Sequence, residues 1–369
     1  MANEDKATRY QRLRRRASIL SVCFGALFLL VLLVSGLSAA LRASAATLAG
    51  GSFLGTIAIY VFALAIVYDL VQLPLAFYEG VTLERRYELS TESTGRWWKD
   101  HLKGWVIGTV FGLIAAAITW ALISWNPDYW WLAAAIAFAL IVVALAQLTP
   151  VLILPLFYEV KPLARAALAE RLKALADRAG APILGTFEWR LSDRTKKANA
   201  ALTGIGRTRR ILLSDTLLAD YSDDEIEVIL AHELAHHVHH DIWRAIVFET
   251  ALIAAGFYVS DLVLTAWSNS FGAMGKADVA TLPLLMLTMG AVSLVLMPIR
   301  NALSRMHERR ADRYALTMTR NIEAFVTAMK RLAAQNLAEE EPSPIVEALF
   351  HSHPSISNRI SAARAFEPG

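Results

Sequence analysis

Six apolar runs, each long enough to cross a bilayer, constrain this 369-residue chain more than any other feature. They lie near 18–41, 53–78, 105–125, 129–157, 246–268 and 280–300. A helix needs roughly 20 apolar residues to span the hydrocarbon layer. Lipid offers no partner to an open backbone, so such runs fold as membrane helices. The composition agrees: 56% of residues are hydrophobic and 19% charged, against about 45–50% and 25% in soluble domains. A very short turn at Asn126-Pro127-Asp128 makes the third and fourth runs a helical hairpin. The expected architecture is an all-α polytopic membrane protein of about six transmembrane helices.

Basic residues in the short loops set the orientation. Lys6, Arg9, Arg12, Arg14, Arg15 and Arg16 precede the first run, and Arg85, Arg86, Arg96, Lys99 and Lys103 follow the second. The other side carries Arg42 and Lys276. Six spans then put both termini, the 79–104 loop and the 158–245 segment in the cytoplasm. A cleaved signal peptide, with Ala43-Ser44-Ala45 at the cut, is a rival reading of 1–45, but its apolar run is longer than usual. The formal charge of +3 comes largely from membrane-flanking cations and points to no nucleic-acid partner. Cys23, the single cysteine, excludes an intrachain disulfide and gives thiolate metal ligation no support.

His232-Glu233-Leu234-Ala235-His236 spells H-E-x-x-H. On a helix, residues four apart share a face, so both imidazoles can reach one metal ion. Imidazole suits zinc, and the intervening Glu can act as a general base. Ser222 and Glu225 form a capping box at the start of this helix, and Ile226, Ile229, Leu230 and Leu234 give it one apolar side.

Two polar segments, 158–245 and 301–369, are each too small to bury a core alone and are expected to pack together around the metal. The chain thus reads as a four-span region over 1–157, the first part of a small α+β domain over 158–245, a two-span hairpin over 246–300, and the second part over 301–369. Helices are expected at 162–179, 301–317, 322–338 and 355–366, strands at 183–191 and 210–213, and an exposed linker at 338–344. Asp69 and Asp261 fall inside apolar runs. Each needs a partner or water, from an internal cavity or from a hydrogen bond between helices.

A catalytic zinc site takes a third protein ligand. Asp241, Glu249, Glu308 and Asp312 are the downstream candidates. Asp241 reads as rotated away from both histidines, and Glu249 enters an apolar run. Glu308 follows the last span, with Asp312 one turn on, where it can hold a ligand histidine. Spacing alone does not separate this from a charged surface helix with i,i+4 pairs.

H-E-L-A-H, two spans, and then S-R-x-x-E-x-x-A-D resembles the type I CAAX prenyl protease family of membrane zinc endopeptidases. The similarity extends over most of the chain: Leu73-Pro74-Leu75 to Tyr87, Trp98-Lys99-Asp100, Pro150 to Tyr158, Asn199-Ala200 with Arg210 to Leu218, and His353-Pro354 with Arg359-Ile360. The resemblance implies a gluzincin-type protease domain and a single Zn2+ held by His232, His236 and Glu308. Glu233 becomes the general base, and Asp312 supports a ligand from behind. Asn199 would hold substrate backbone on an edge strand. His353 and Arg359 would face the scissile carbonyl or the peptide backbone, with His353 stabilising the oxyanion. The implied partners are the bilayer and a peptide or protein substrate that is membrane-anchored or C-terminally prenylated.

The match has departures. Eukaryotic members carry a further N-terminal span and have His where this chain has Asp241. The H-H-V-H-H-D stretch resembles the bacterial heat-shock membrane protease HtpX, although that relative has fewer spans before the pentad. A quality-control protease in a bacterial inner membrane is therefore one alternative, and a zinc-binding sensor or scaffold without turnover is another.

Overall fold

The computed structural model describes residues 5–204 and 209–367. Among them, six helices are long and apolar enough to cross a membrane. α1 (Lys6–Val34) ends at Ser35, and Gly36, at φ 74°, turns the chain into α2 (Leu37–Leu48). The run expected at 18–41 is therefore a helix that starts earlier and a second, short helix. Left-handed backbone at Gly36 costs little because glycine has no Cβ. α3 (Phe53–Phe77) continues through a π turn into α4 (Glu84–Arg86), and α5 (Thr94–Trp125) and α6 (Trp130–Leu148) form the hairpin. α6 stops short of 157, passing through a second π turn into α7 (Leu154–Phe157).

The polar half begins with strand β1 (Val160–Pro162) and helix α8 (Ala166–Arg178). Pro162 thus closes a strand instead of opening a helix. It can do so because β1 is an edge of the sheet, where a missing N–H is tolerated. β2 (Gly185–Trp189), β3 (Ala200–Thr203) and β4 (Arg210–Ser214) complete a sheet of order β1-β2-β4-β3, with β2 and β4 parallel and the outer pairs antiparallel. α9 (Asp215–Asp220) leads into α10 (Asp223–Val238), which carries the H-E-x-x-H pentad.

α11 (Asp241–Trp267) enters the membrane region, and α12 (Leu282–Thr319) returns from it as one continuous helix. The segments expected separately at 280–300 and 301–317 are one element, so a single helix runs through Pro298 from the span to Glu308 and Asp312. α13 (Ile322–Asn336), α14 (Pro344–Phe350) and α15 (Ile356–Arg364) follow. The linker expected at 338–344 is not wholly exposed: Glu339 is buried against Arg15 of α1, and α14 starts at Pro344.

One core lies in the polar half, where Leu172, Ile211, Leu213 and Leu230 pack with Phe325 and Met329, so both polar segments contribute to it. A second lies between the membrane helices around Tyr60, Trp120, Trp130 and Phe257. The two intramembrane carboxylates differ. Asp261 accepts from Trp130 Nε1 at 2.6 Å and Lys276 Nζ at 3.0 Å, a tie between elements. Asp69 faces His101 at 3.2 Å and also lines an apolar cavity of about 540 Å³.

α1 and α3 approach closely at Gly25. A Cβ there would lie 2.5 Å from Tyr68 Oη and 2.7 Å from Gln72 Nε2. Gln72 is fixed in turn by its bond to the Ser21 carbonyl at 3.0 Å. Gly25→Leu is expected to force the helices apart at a cost of about 1–3 kcal/mol. A lowered unfolding midpoint in detergent checks this; an unchanged midpoint argues that α1 tilts freely.

Candidate active site

α10 is positioned at both ends. Ser222 Oγ accepts from the Glu225 N–H at 3.3 Å and Glu225 Oε2 from the Ser222 N–H at 2.9 Å, completing the expected capping box. Ile226, Leu230 and Leu234 are fully buried on one side, which presses the helix into the polar core and fixes its rotation. At the far end His240, at φ 56°, stops α10 and starts α11.

The two histidines face α12. His232 Nε2 lies 3.2 Å from Glu308 Oε2, and His236 Nε2 lies 3.3 Å from Glu308 Oε1. Ligand atoms of these three residues all lie within 4.8 Å of one another. Each Nδ1 has its own carboxylate: Asp312 Oδ1 at 2.9 Å for His232 and Asp241 Oδ2 at 3.1 Å for His236. A carboxylate on Nδ1 fixes the tautomer with its proton there, so both Nε2 lone pairs point at a common centre.

Asp241 therefore stands differently from the sequence reading, which turned it away from both histidines. The left-handed turn at His240 folds α11 back, so that the first residue of α11 reaches the pentad. Arg310 binds the other Asp241 oxygen. A positive φ at a non-glycine residue was the missing signal, and sequence spacing does not carry it.

Asp312 is held by Arg359, which donates through Nε to Oδ2 at 2.8 Å and through Nη2 to Oδ1. Arg359 Nη2 also lies 3.5 Å from His232 Nδ1. Arg359 thus abuts the centre through Asp312 as well as lining the cleft. His353 Nε2 sits 3.5 Å from Glu308 Oε1, and its ring is largely exposed to the cleft. Asn199 immediately precedes β3, and its backbone is pinned to Ser214 by two hydrogen bonds. Glu233 shares a cleft of about 170 Å³ with Asn199, His353 and Arg359. Burial pushes the Glu233 carboxyl above its ordinary value, which brings it nearer to a base useful at neutral pH.

This donor set fits a divalent metal. It offers two imidazole nitrogens and one carboxylate whose ligand atoms converge, with each imidazole Nδ1 already held by another carboxylate. Buried carboxylate oxygens cost free energy unless something positive meets them.

Known proteins share this architecture. The model of peptidase family M48 matches residues 162–367, and that of the CAAX prenyl protease N-terminal domain, described as five membrane helices, matches residues 2–159. An uncharacterized metalloprotease of Bacillus subtilis, YhfN, is 34% identical over 91% of this chain and 80% of its own length. CAAX prenyl protease 1 of Saccharomyces cerevisiae is 26% identical over 79% of this chain and 68% of its own. The crystal structure of S. mikatae Ste24p superposes with a TM-score of 0.88, covering 97% of this chain and 88% of that one at 24% identity, which shows a common fold. The chain belongs to peptidase family M48 and is a multi-pass membrane metalloendopeptidase of the type I CAAX prenyl protease kind.

Proposed function

We propose that His232, His236 and Glu308 bind zinc and that the protein cleaves peptides whose hydrophobic anchor, such as a C-terminal prenyl group, sits in the membrane. The convergence of both pentad imidazoles with Glu308 inside a cleft bordered by an edge strand supports this most strongly. Two His and one Glu form a recurrent catalytic zinc set. Bound there, zinc supplies Lewis acidity toward water and the scissile carbonyl.

The protein groups do the rest. Among the described residues β3 pairs with β4 alone, so its outer edge can take an extended peptide as a further strand, starting beside Asn199. Glu233 accepts the proton of the attacking water on its carboxylate and delivers it to the leaving amine nitrogen. His353 donates from Nε2 to the oxyanion. Asp312 and Asp241 keep the ligand imidazoles oriented, and Arg359 keeps Asp312 charged. In this reading the protease domain is assembled from 158–245 and 301–369, with 1–157 and the 246–300 hairpin as its membrane part.

The same reading puts the site and both termini on the cytoplasmic face of a bacterial inner membrane. The two cations on the opposite side are neutralised, Lys276 by Asp261 and Arg42 by Asp278, whereas the N-terminal and 85–103 clusters flank the site side. Substrate choice is tested by mapping the cuts that detergent-solubilised protein makes in matched peptides with and without a farnesylated C-terminal cysteine. Faster cleavage of the farnesylated member supports the anchored substrate class. Equal rates on soluble, unprenylated peptides contradict it.

The metal-free protein has its own pH signature. Burial lowers the His232 pKa, but hydrogen bonds to Asp312 and Glu308 outweigh it and push it from 6.5 up to about 9. Without metal the imidazole is charged at neutral pH. Its stabilisation is full below the unfolded value of 6.5 and is lost as pH rises through about 9. Zinc must displace that proton. The metal-free unfolding midpoint is expected to fall across this window. Zinc binding at neutral pH is expected to release a proton, seen as a calorimetric heat that scales with buffer ionisation enthalpy. A heat independent of buffer contradicts the assignment of His232.

A further inference from the structure

A second cavity, of about 450 Å³, adjoins the cleft and shares His353, Arg359 and Asn336 with it. From these residues its lining runs to Gln11 and Arg14 on α1. The first membrane helix is thus part of the peptidase half. Gln11 Nε2 donates to the Leu337 carbonyl at 2.7 Å, and Arg15 pairs with buried Glu339. These bonds join α1 to the loop between α13 and α14, and both line the cavity. A peptide leaving the cleft past His353 meets this wall. A chain end can stop there, whereas an internal segment would have to thread past it.

The wall carries a cation with no carboxylate paired to it among the described residues. Its acid, Glu339, is satisfied by Arg15. Arg14 is exposed, lies beside the Tyr10 hydroxyl, and pairs with no carboxylate among the described residues. Its neighbours differ: Lys197 is bound by Glu84 and Arg359 by Asp312. A guanidinium presents a planar fork that matches the two oxygens of a carboxylate. The volume is within the range of specific binding pockets, and its polar lining suits peptide backbone.

We propose that Arg14 binds the free C-terminal carboxylate of the substrate, so that the enzyme reads the distance between the cut and the chain end. This specificity role rests on the peptidase reading above. It makes Arg14 a binding residue, on a helix whose basic start otherwise reads only as a topology signal.

The test uses full-length, zinc-loaded protein in detergent and two peptides of identical sequence, one ending in a free acid and one in a carboxamide. The readout is the ratio of their kcat/KM values, which does not depend on the fraction of protein folded. Wild type is expected to favour the acid on the order of tenfold. Arg14→Gln is expected to bring the ratio to about one, and Arg14→Lys, which keeps the charge without the fork, to an intermediate value. Arg16→Gln, outside the pocket, is expected to keep the wild-type ratio. An acid preference that survives in both Arg14 variants overturns the proposal. So does equal cutting of both peptides by wild type, which leaves the peptidase reading standing. Failure of wild type to cut either peptide overturns both.

Discussion

Glu233→Gln is expected to lower peptide hydrolysis by roughly 10³-fold or more while metal content stays at the wild-type level. Glu233 lies on α10 between the two histidines, but it is not among the three residues whose ligand atoms converge. The contacts that define the metal centre run from His232, His236 and Glu308 to one another, to Asp312 and to Asp241. Glutamine keeps the size of the side chain and loses the capacity to take a proton. The variant therefore separates binding from chemistry. Metal analysis and single-turnover cleavage of a peptide mixture check it. Loss of metal would make Glu233 a ligand or a structural support, and retained turnover would place the base elsewhere.

The second large effect is expected from Asp312→Ala. Asp312 accepts from Arg359 Nε at 2.8 Å and from His232 Nδ1 at 2.9 Å, and both partner side chains are about 10% exposed. Truncation strands the Arg359 charge, at a cost of about 3–5 kcal/mol. It also frees the His232 ring, which should weaken zinc affinity by roughly 10–100-fold. Asp312→Asn keeps an acceptor oxygen and should fall between. Removing Arg359 as well, in an Asp312→Ala/Arg359→Met pair, should recover much of the stability and none of the zinc affinity, because the stranded charge is gone and His232 is still unsupported. Denaturant unfolding and zinc competition against a chelator read the two effects separately. Wild-type values for both in Asp312→Ala would contradict the network.

The features legible in the sequence are those set by local periodicity. Apolar runs marked the membrane helices, and the i,i+4 rule put His232 and His236 on one face. The capping signature at Ser222 and Glu225 located the start of α10, which fixes where that face points. Features set by backbone sign or distant packing were not legible. Spacing turns Asp241 away from the histidines because nothing in it reveals the left-handed residue His240. Pro162 reads as a helix start in the sequence, since proline suits both a first helical turn and an edge strand, and pairing with β2 decides between them. The break at Gly36 lay inside one apolar run, and hydropathy does not register a turn. Arg15 and Arg14 read as topology signals because their positions against Glu339 and the second cavity depend on contacts more than 300 residues away in sequence.

His232, His236 and Glu308 are expected to hold one catalytic zinc ion. Zinc-edge X-ray absorption on the purified wild type, beside Glu308→Ala, tests it most directly. Two imidazole nitrogens at about 2.0–2.1 Å are expected, with the remaining shell oxygen at about 2.0–2.2 Å, and loss of this spectrum in Glu308→Ala. A sulfur scatterer, a third imidazole, or an unchanged spectrum in Glu308→Ala would contradict it.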